Sequence, residues 1–249
     1  MKTEDLLQTI LTERPNFHLV ETEINRSFDV EESLLPRQAA EKLKSSTRTN
    51  YGIGSEVLSF IAETIDKNCR TLETGAGCST LVFAIKQAKH IAVTPSRPEI
   101  ELIEQYAKQR QIPLDGVCFV PQSSEHYLPQ CETDSLDLVL LDGKHAFPWP
   151  IIDWFYTADR LRKGGTMIVD DVQIRSVSIL TDFLLVDSRW QLMRNFSSKT
   201  LAFKKMKENV HDVAWHMQQF TVSSSTDQKE KALGFLEKIR RKMKRIFPA

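Results

Sequence analysis

The chain has 249 residues, enough for one large α/β domain with additions and short for two independent enzymes. Hydrophobic residues make up 41% and charged residues 27%, the balance of an ordinary globular protein. Lys+Arg and Asp+Glu both number 33, so the whole chain has no bulk preference for nucleic acid or another polyanion.

The opening stretch MKTEDLLQTILTERPNF has a short apolar run broken by acids and does not read as a secretory signal. No run approaches the roughly 18 apolar residues of a membrane span, and a cytoplasmic protein is expected. Cys69, Cys78, Cys118 and Cys131 form no C-x-x-C pair, which argues against a zinc knuckle. They lie in or beside apolar segments, as reduced cysteines do.

Residues 1–50 are polar and helix-prone and form an expected helical addition. From Tyr51-Gly52-Ile53-Gly54 the pattern changes. A helix is predicted over 55–66, a strand over 70–74, a helix over 79–89, a strand over 90–94 and a helix over 97–111. Strands 117–120 and 136–141 follow, then helix 149–161, strand 166–169 and helix 174–186. Short apolar runs alternating with helical patterns predict parallel strands joined by βαβ crossovers. The runs TLE, IAV, LDLVLL and TMIV are almost continuously apolar, as strands buried on both faces are. Strands 190–196 and 200–204 are joined only by Ser197-Ser198-Lys199, which demands an antiparallel hairpin. A helix is predicted from Lys205 to Phe220, then a polar linker and a basic amphipathic segment over 229–249. The expected division is an addition over 1–50, a core over 51–205 and a helical extension with a basic tail over 206–249.

The sequence Leu72-Glu73-Thr74-Gly75-Ala76-Gly77-Cys78-Ser79-Thr80 joins the first core strand to its helix. Glycines let the backbone turn tightly and approach a ligand, and the helix start offers unpaired N–H groups and a positive dipole end. A dinucleotide fingerprint would need glycine in place of Thr80 and an acid after the second strand, which ends in Val93-Thr94. The Gly-Lys-Ser/Thr phosphate loop is absent as well. Glu73-x-Gly75-x-Gly77 after a strand resembles the first motif of class I S-adenosylmethionine-dependent methyltransferases. The resemblance covers residues 51–205. It implies an α/β fold with a Rossmann-like seven-stranded sheet, mostly parallel, with a terminal antiparallel hairpin and helices on both faces. It implies S-adenosylmethionine as cofactor, its methionine part facing the backbone of Gly75, Ala76, Gly77 and Ser79. Glu73 would hold the turn or the cofactor's amino group. Where the family has a ribose-binding acid this chain has Thr94-Pro95-Ser96, so Thr94 and Ser96 become the expected ribose contacts. Ser124, after the third strand, is the expected adenine contact.

The fourth strand runs into Asp142-Gly143-Lys144-His145 and the fifth into Asp170-Asp171. In a parallel sheet both ends open on the edge that carries the glycine turn, so three carboxylates are expected near the cofactor, Asp142 among its contacts. Carboxylates there can bind a hard divalent cation such as Mg²⁺, which would lower the pKa of a hydroxyl acceptor. Asp142, Asp170 and Asp171 resemble the metal pattern of cation-dependent catechol and caffeoyl-CoA O-methyltransferases, with Asp171 where those often have Asn. The D-G-x-H pattern also resembles a bacterial family of small methyltransferases acting on sugars and natural products. His145 suits a base near neutral pH, and Lys144 competes for that role. A structural role also suits the acids, with Asp142 orienting its loop and Asp170-Asp171 starting the next helix.

The expected activity is O-methylation of a small-molecule hydroxyl, with no nucleic-acid partner and with a homodimer as the expected assembly. The alternative is a catalytically idle cofactor-binding scaffold whose basic tail docks on a membrane surface or partner. The absent glycine at position 80 argues against an NAD or nucleotide-sugar enzyme. The aromatic segment over 147–156 reads as core packing ahead of acceptor-pocket lining. His211 and His216 miss the i, i+4 metal spacing and read as surface or packing residues.

Overall fold

The computed structural model describes residues 3–17, 52–133, 135–208, 210–211 and 213–222. Most of the expected N-terminal addition, the polar linker beyond residue 222 and the basic tail lie outside the described residues. The chain divides into two units, Met1–Tyr127 and Leu128–Ala249. No helix among the described residues is long and apolar enough to cross a membrane.

The first unit carries helices α1 (Thr3–Glu13), α2 (Ser55–Thr64), α3 (Cys78–Ile85), α4 (Arg97–Arg110) and the single turn α5 (Ser124–Tyr127). Its strands are β1 (Arg70–Thr74), β2 (Lys89–Val93) and β3 (Val117–Val120), all parallel, with Leu72 opposite Ile91 and Ile91 opposite Cys118. Every residue of α3 is buried, and α1 and α2 pack against it. The helix stops at Ile85, four residues before the predicted end. Gln87 takes φ 55°, and its left-handed turn sends the chain back into β2. Glu13 at the end of α1 accepts hydrogen bonds from Tyr106 (2.6 Å) and Arg110 (2.7 Å), clamping α1 to α4. Cys118 is exposed, unlike a core cysteine, because β3 is an edge strand.

The second unit holds β4 (Leu136–Leu141), α6 (Trp149–Ala158), β5 (Leu161–Val169), α7 (Arg175–Val186), β6 (Trp190–Phe196) and β7 (Thr200–Lys205). A short α8 (Gln219–Val222) closes the described chain. β4 and β5 are parallel, while β7 pairs antiparallel with both β5 and β6. The strand order of the seven-stranded sheet is β3-β2-β1-β4-β5-β7-β6. This is the expected mostly parallel Rossmann-like sheet with an antiparallel hairpin, and Ser197 and Ser198 make the tight turn with φ 52° and 59°.

The helix predicted from Lys205 to Phe220 is a correction. Among the described residues that stretch is irregular apart from a 3₁₀ turn at Trp215–Met217 and α8. Its backbone groups bond elsewhere: Val210 N–H donates to Asp159 Oδ1 (2.9 Å), and the Val210 carbonyl accepts from Arg189, itself paired with Asp187. His211 Nε2 bonds the Phe155 carbonyl (2.7 Å), and its ring stacks on Phe155 at 4.5 Å, a packing role as expected. Side chains of α6 and its surroundings have thus taken groups that a helix would pair internally.

Lys205 has a fully buried side chain. Its ammonium donates to the carbonyls of Ala158 (2.8 Å) and Leu161 (2.6 Å), so a cation caps the C-terminal end of α6 and ties it to β5 and β7. Burying an ammonium is costly unless its protons find acceptors; these two carbonyls take two of them, and the Glu208 carboxylate lies 3.5 Å away. Lys205→Met leaves the carbonyls unpaired. It is expected to lower stability by about 2–4 kcal/mol, read as a drop in the urea midpoint with an unchanged slope.

Candidate active site

In the first unit the glycine turn is organised around one carboxylate. Glu73, 1% exposed at the end of β1, accepts hydrogen bonds from Ser79 Oγ (2.6 Å), from Thr80 Oγ1 and from His90 Nε2 (3.1 Å). His90 Nδ1 faces Thr71 Oγ1 at 2.8 Å, so the Nε2–H tautomer satisfies both partners. Gly77 N–H donates to Thr80 Oγ1 (2.9 Å), which passes the bond on to Glu73. Glu73 is thus bonded to two side chains of the turn that follows it. Thr80, which stands where a dinucleotide site has glycine, is a brace of the same turn.

Gly75 has φ 92°, a conformation that favours glycine, whereas Gly77 at φ 174° is extended backbone. Ala76 is buried between them. Cys78 opens α3, and burial pushes its thiol up to about 12, so it is a neutral packing group. Thr74 Oγ1 is buried and has no hydrogen-bond partner among the described residues. An orphaned hydroxyl at the first position of a glycine turn suits a ligand seated there.

The expected ribose and adenine contacts have local roles. Thr94 is buried and its hydroxyl accepts from Ser96 N–H at 3.4 Å. Ser96 is the N-cap of α4, its hydroxyl accepting from Glu99 N–H at 3.4 Å. Both bonds are long, so neither hydroxyl is strongly committed. Ser124 is buried in the first turn of α5.

In the second unit the loop after β4 and the end of β5 bring together Asp142, His145 and Asp171. His145 Nε2 lies 3.6 Å from Asp142 Oδ1 and 3.5 Å from Asp171 Oδ2. At these lengths they are charge contacts rather than aligned hydrogen bonds, and Nε2 is buried with no hydrogen-bond partner. The His145 carbonyl accepts from Ser176 in the first turn of α7, which fixes the loop. Burial pushes the Asp142 carboxyl up to about 6; His145 opposes that shift and the Asp170 charge adds to it. Burial alone would lower His145, but Asp142, Asp171 and Asp170 outweigh it and hold its pKa above 6.5. Lys144 is placed differently. Its ammonium lies 3.6 Å from the centroid of the Trp149 ring, a cation–π contact.

Asp170 is not gathered with the other two acids. It is fully buried, one oxygen accepting from Thr200 Oγ1 and the other lying 3.4 Å from Lys199 Nζ. Lys199 Nζ is also 3.5 Å from Asp171 Oδ1, which accepts from Gln173 Nε2 at 2.7 Å. Sequence reasoning did not single out Lys199, Thr200 or Ser176. Asp142, His145 and Asp171 do present ligand atoms within 4.8 Å of one another. Yet the three-aspartate set expected for a hard divalent cation does not fit. Asp170 gives one oxygen to Thr200, and its other, without a hydrogen-bond partner, lies 3.4 Å from the Lys199 ammonium; Asp171 has that ammonium at 3.5 Å, and an imidazole nitrogen stands where an oxygen is preferred.

Residues 72–172 match the model of a methyltransferase domain family, a span that runs from the glycine turn to the Asp170-Asp171 pair. No curated protein matches the sequence. Among solved structures, the chain is similar to the cofactor-bound Rv0187 protein from MTB, at 14% identity and a TM-score of 0.56 over 77% of this chain and 100% of that one. It is similar to the O-methyltransferase TomG from Streptomyces achromogenes, solved in complex with SAM, at 16% identity and a TM-score of 0.53, covering 76% and 100%. The SAH-bound methyltransferase PaMTH1 from Podospora anserina gives 16% identity and a TM-score of 0.53, covering 76% and 98%. The fold is therefore that of the Rossmann-like methyltransferases.

Two outcomes follow from the geometry. Glu73→Ala strips Ser79, Thr80 and His90 of their common acceptor and is expected to cost about 3 kcal/mol in chemical denaturation. In an NMR titration His145 should titrate above 6.5, and Asp142→Asn should move it down, because the carboxylate that raises it most is gone.

Proposed function

We propose that this chain is an S-adenosylmethionine-dependent methyltransferase of the D-G-x-H type that methylates a hydroxyl of a small molecule, with His145 as the base. The observation that carries the reading is the His145 imidazole, its Nε2 without a hydrogen-bond partner between two carboxylates, within a span that matches a methyltransferase domain. The cofactor would supply an electrophilic methyl group on a sulfonium. The Gly75–Ser79 backbone and the unpaired Thr74 hydroxyl are suited to hold it, with Glu73 keeping the turn in shape.

His145 Nε2 would take the acceptor's hydroxyl proton as the oxygen bonds to the methyl carbon and the sulfur–carbon bond breaks. Asp142 and Asp171 stabilise the imidazolium that results and orient the ring. The remaining work of methyl transfer is alignment and exclusion of water, which needs no metal-bound nucleophile. Lys144, held on Trp149, is the weaker candidate for the base. The similarity to TomG, an O-methyltransferase, supports an oxygen acceptor, and the pairing of base with carboxylates suits a hydroxyl of ordinary acidity.

Calorimetric titration should show S-adenosylmethionine binding and no NAD binding. With an acceptor found in a panel of sugar and phenolic hydroxyls, His145→Ala should lower kcat by about 10²–10⁴-fold while leaving cofactor affinity unchanged. The neutral imidazole is the active form, so the rate should rise with pH through a value above 6.5. Asp142→Asn should move that limb to lower pH. Failure to bind the cofactor would reduce the glycine turn to a structural feature. Binding without turnover across the panel would favour the scaffold reading.

A further inference from the structure

The second unit contains a cation of its own. Lys199 sits in the β6–β7 turn, and its main chain is fixed because its carbonyl accepts from Val172 N–H at 2.9 Å. Its ammonium is 3.4 Å from Asp170 Oδ2 and 3.5 Å from Asp171 Oδ1. The neighbouring Thr200 hydroxyl donates to the other oxygen of Asp170, and Gln173 Nε2 donates to Asp171 Oδ1. Protein groups thus supply what a bridging metal would bring to a pair of carboxylates: one shared neutralising charge, with a directional donor to each acid.

We propose that the Lys199 ammonium takes the place of a divalent cation in this acidic cluster, organising Asp170 and Asp171 with a covalently tethered charge. The proposal deepens the acceptor-site reading and rests on it for its catalytic meaning, but its test does not need turnover. The groups facing Lys199 are Asp170, Asp171 and, further off, Asp142; together they outweigh burial and keep the ammonium protonated across the neutral range. A divalent ion approaching Asp171 would therefore meet a permanent like charge beside the oxygen it needs. Lys199 is in this sense a positioning residue. It sets the pair of carboxylates of which Asp171 then faces His145 at 3.5 Å.

The test is Mn²⁺ binding to the full chain, followed by electron paramagnetic resonance of free Mn²⁺ near neutral pH. The wild-type chain and Lys199→Arg should bind only weakly. Lys199→Met, with the charge removed and the acids left, should bind Mn²⁺ about tenfold more tightly or better. Adding Asp171→Asn to Lys199→Met should abolish the gain. Circular dichroism would verify folding, with Lys199→Gln taking the place of Lys199→Met if the latter fails to fold. Tight binding by the wild-type chain overturns the proposal. So does an absence of gain in the uncharged variant, or a gain that survives Asp171→Asn. None of these outcomes depends on methyl transfer, so failure of the function reading would be seen separately, in the cofactor titration. If turnover is found, wild-type activity should be unaffected by EDTA, and Lys199→Arg should keep more of it than Lys199→Met.

Discussion

The register of β7 against β5 is the constraint on which the second unit depends. Val169 lies opposite Leu201, and the same antiparallel register continued by one and two residues puts Thr200 beside Asp170 and Lys199 beside Asp171. A slip of one residue would turn every side chain of β7 to the other face and break both contacts. The strand is pinned at each end by a lysine. Lys199 meets the carboxylates where β5 ends, and Lys205 meets the carbonyls of Ala158 and Leu161 where β5 begins. Between them Leu201, Ala202 and Phe203 are buried, so the hydrophobic contacts and the two cations select the same register.

The carboxylates of the two units show how burial separates structural acids from chemical ones. Glu73 is almost completely buried, yet three donors converge on it, so its charge is compensated and committed to the turn. Asp170 is fully buried too, with one oxygen bonded to Thr200 and the other 3.4 Å from the Lys199 ammonium. Asp142 is different. Its side chain keeps 20% exposure, its partner His145 stands at 3.6 Å, and its carboxyl is pushed up to about 6. A carboxyl raised by burial stands beside an imidazole raised by carboxylates, so the two groups titrate together. The titration steps belong to that pair rather than to either residue.

What was legible in the sequence was whatever is encoded locally. The apolar runs LDLVLL and TMIV fall within β4 and β5, and the three residues Ser197-Ser198-Lys199 do connect an antiparallel hairpin. The glycine turn was legible because a strand, a glycine pair and a helix start occupy nine consecutive positions. The side chains that β7 meets were not, because its partner in β5 lies more than thirty residues away. Nothing local to Lys199 or Lys205 marks the groups that each meets there. Ser79 was read for its backbone in the turn and Thr80 as a glycine missing from a dinucleotide site, whereas in the fold both side chains are donors to Glu73. A signal did exist in the parallel register: Thr71 opposite His90 and Glu73 opposite Ala92 place His90 within reach of the acid two residues along β1. The irregular stretch after Lys205 eluded prediction for the opposite reason. Its local pattern favours a helix, but Asp159, Arg189 and Phe155 offer its backbone partners that a local reading cannot see.

The choice between Lys144 and His145 shows how a motif becomes a mechanism. Both follow Asp142 within three residues, and a sequence pattern alone ranks them only by ordinary pKa. The fold separates them by what each side chain is given to touch. Trp149, the first residue of α6, offers its ring face to the Lys144 ammonium, a contact worth about 0.5–1 kcal/mol at an exposed site. His145 is instead set between two carboxylates: burial favours its neutral form and the carboxylates favour its charged form, so the two influences oppose each other in one ring. Proton transfer needs a group whose charge can change, and His145 is that group in the cluster. Asp142 raises it most and Asp171 next, and Asp171 in turn lies 3.5 Å from the ammonium of Lys199.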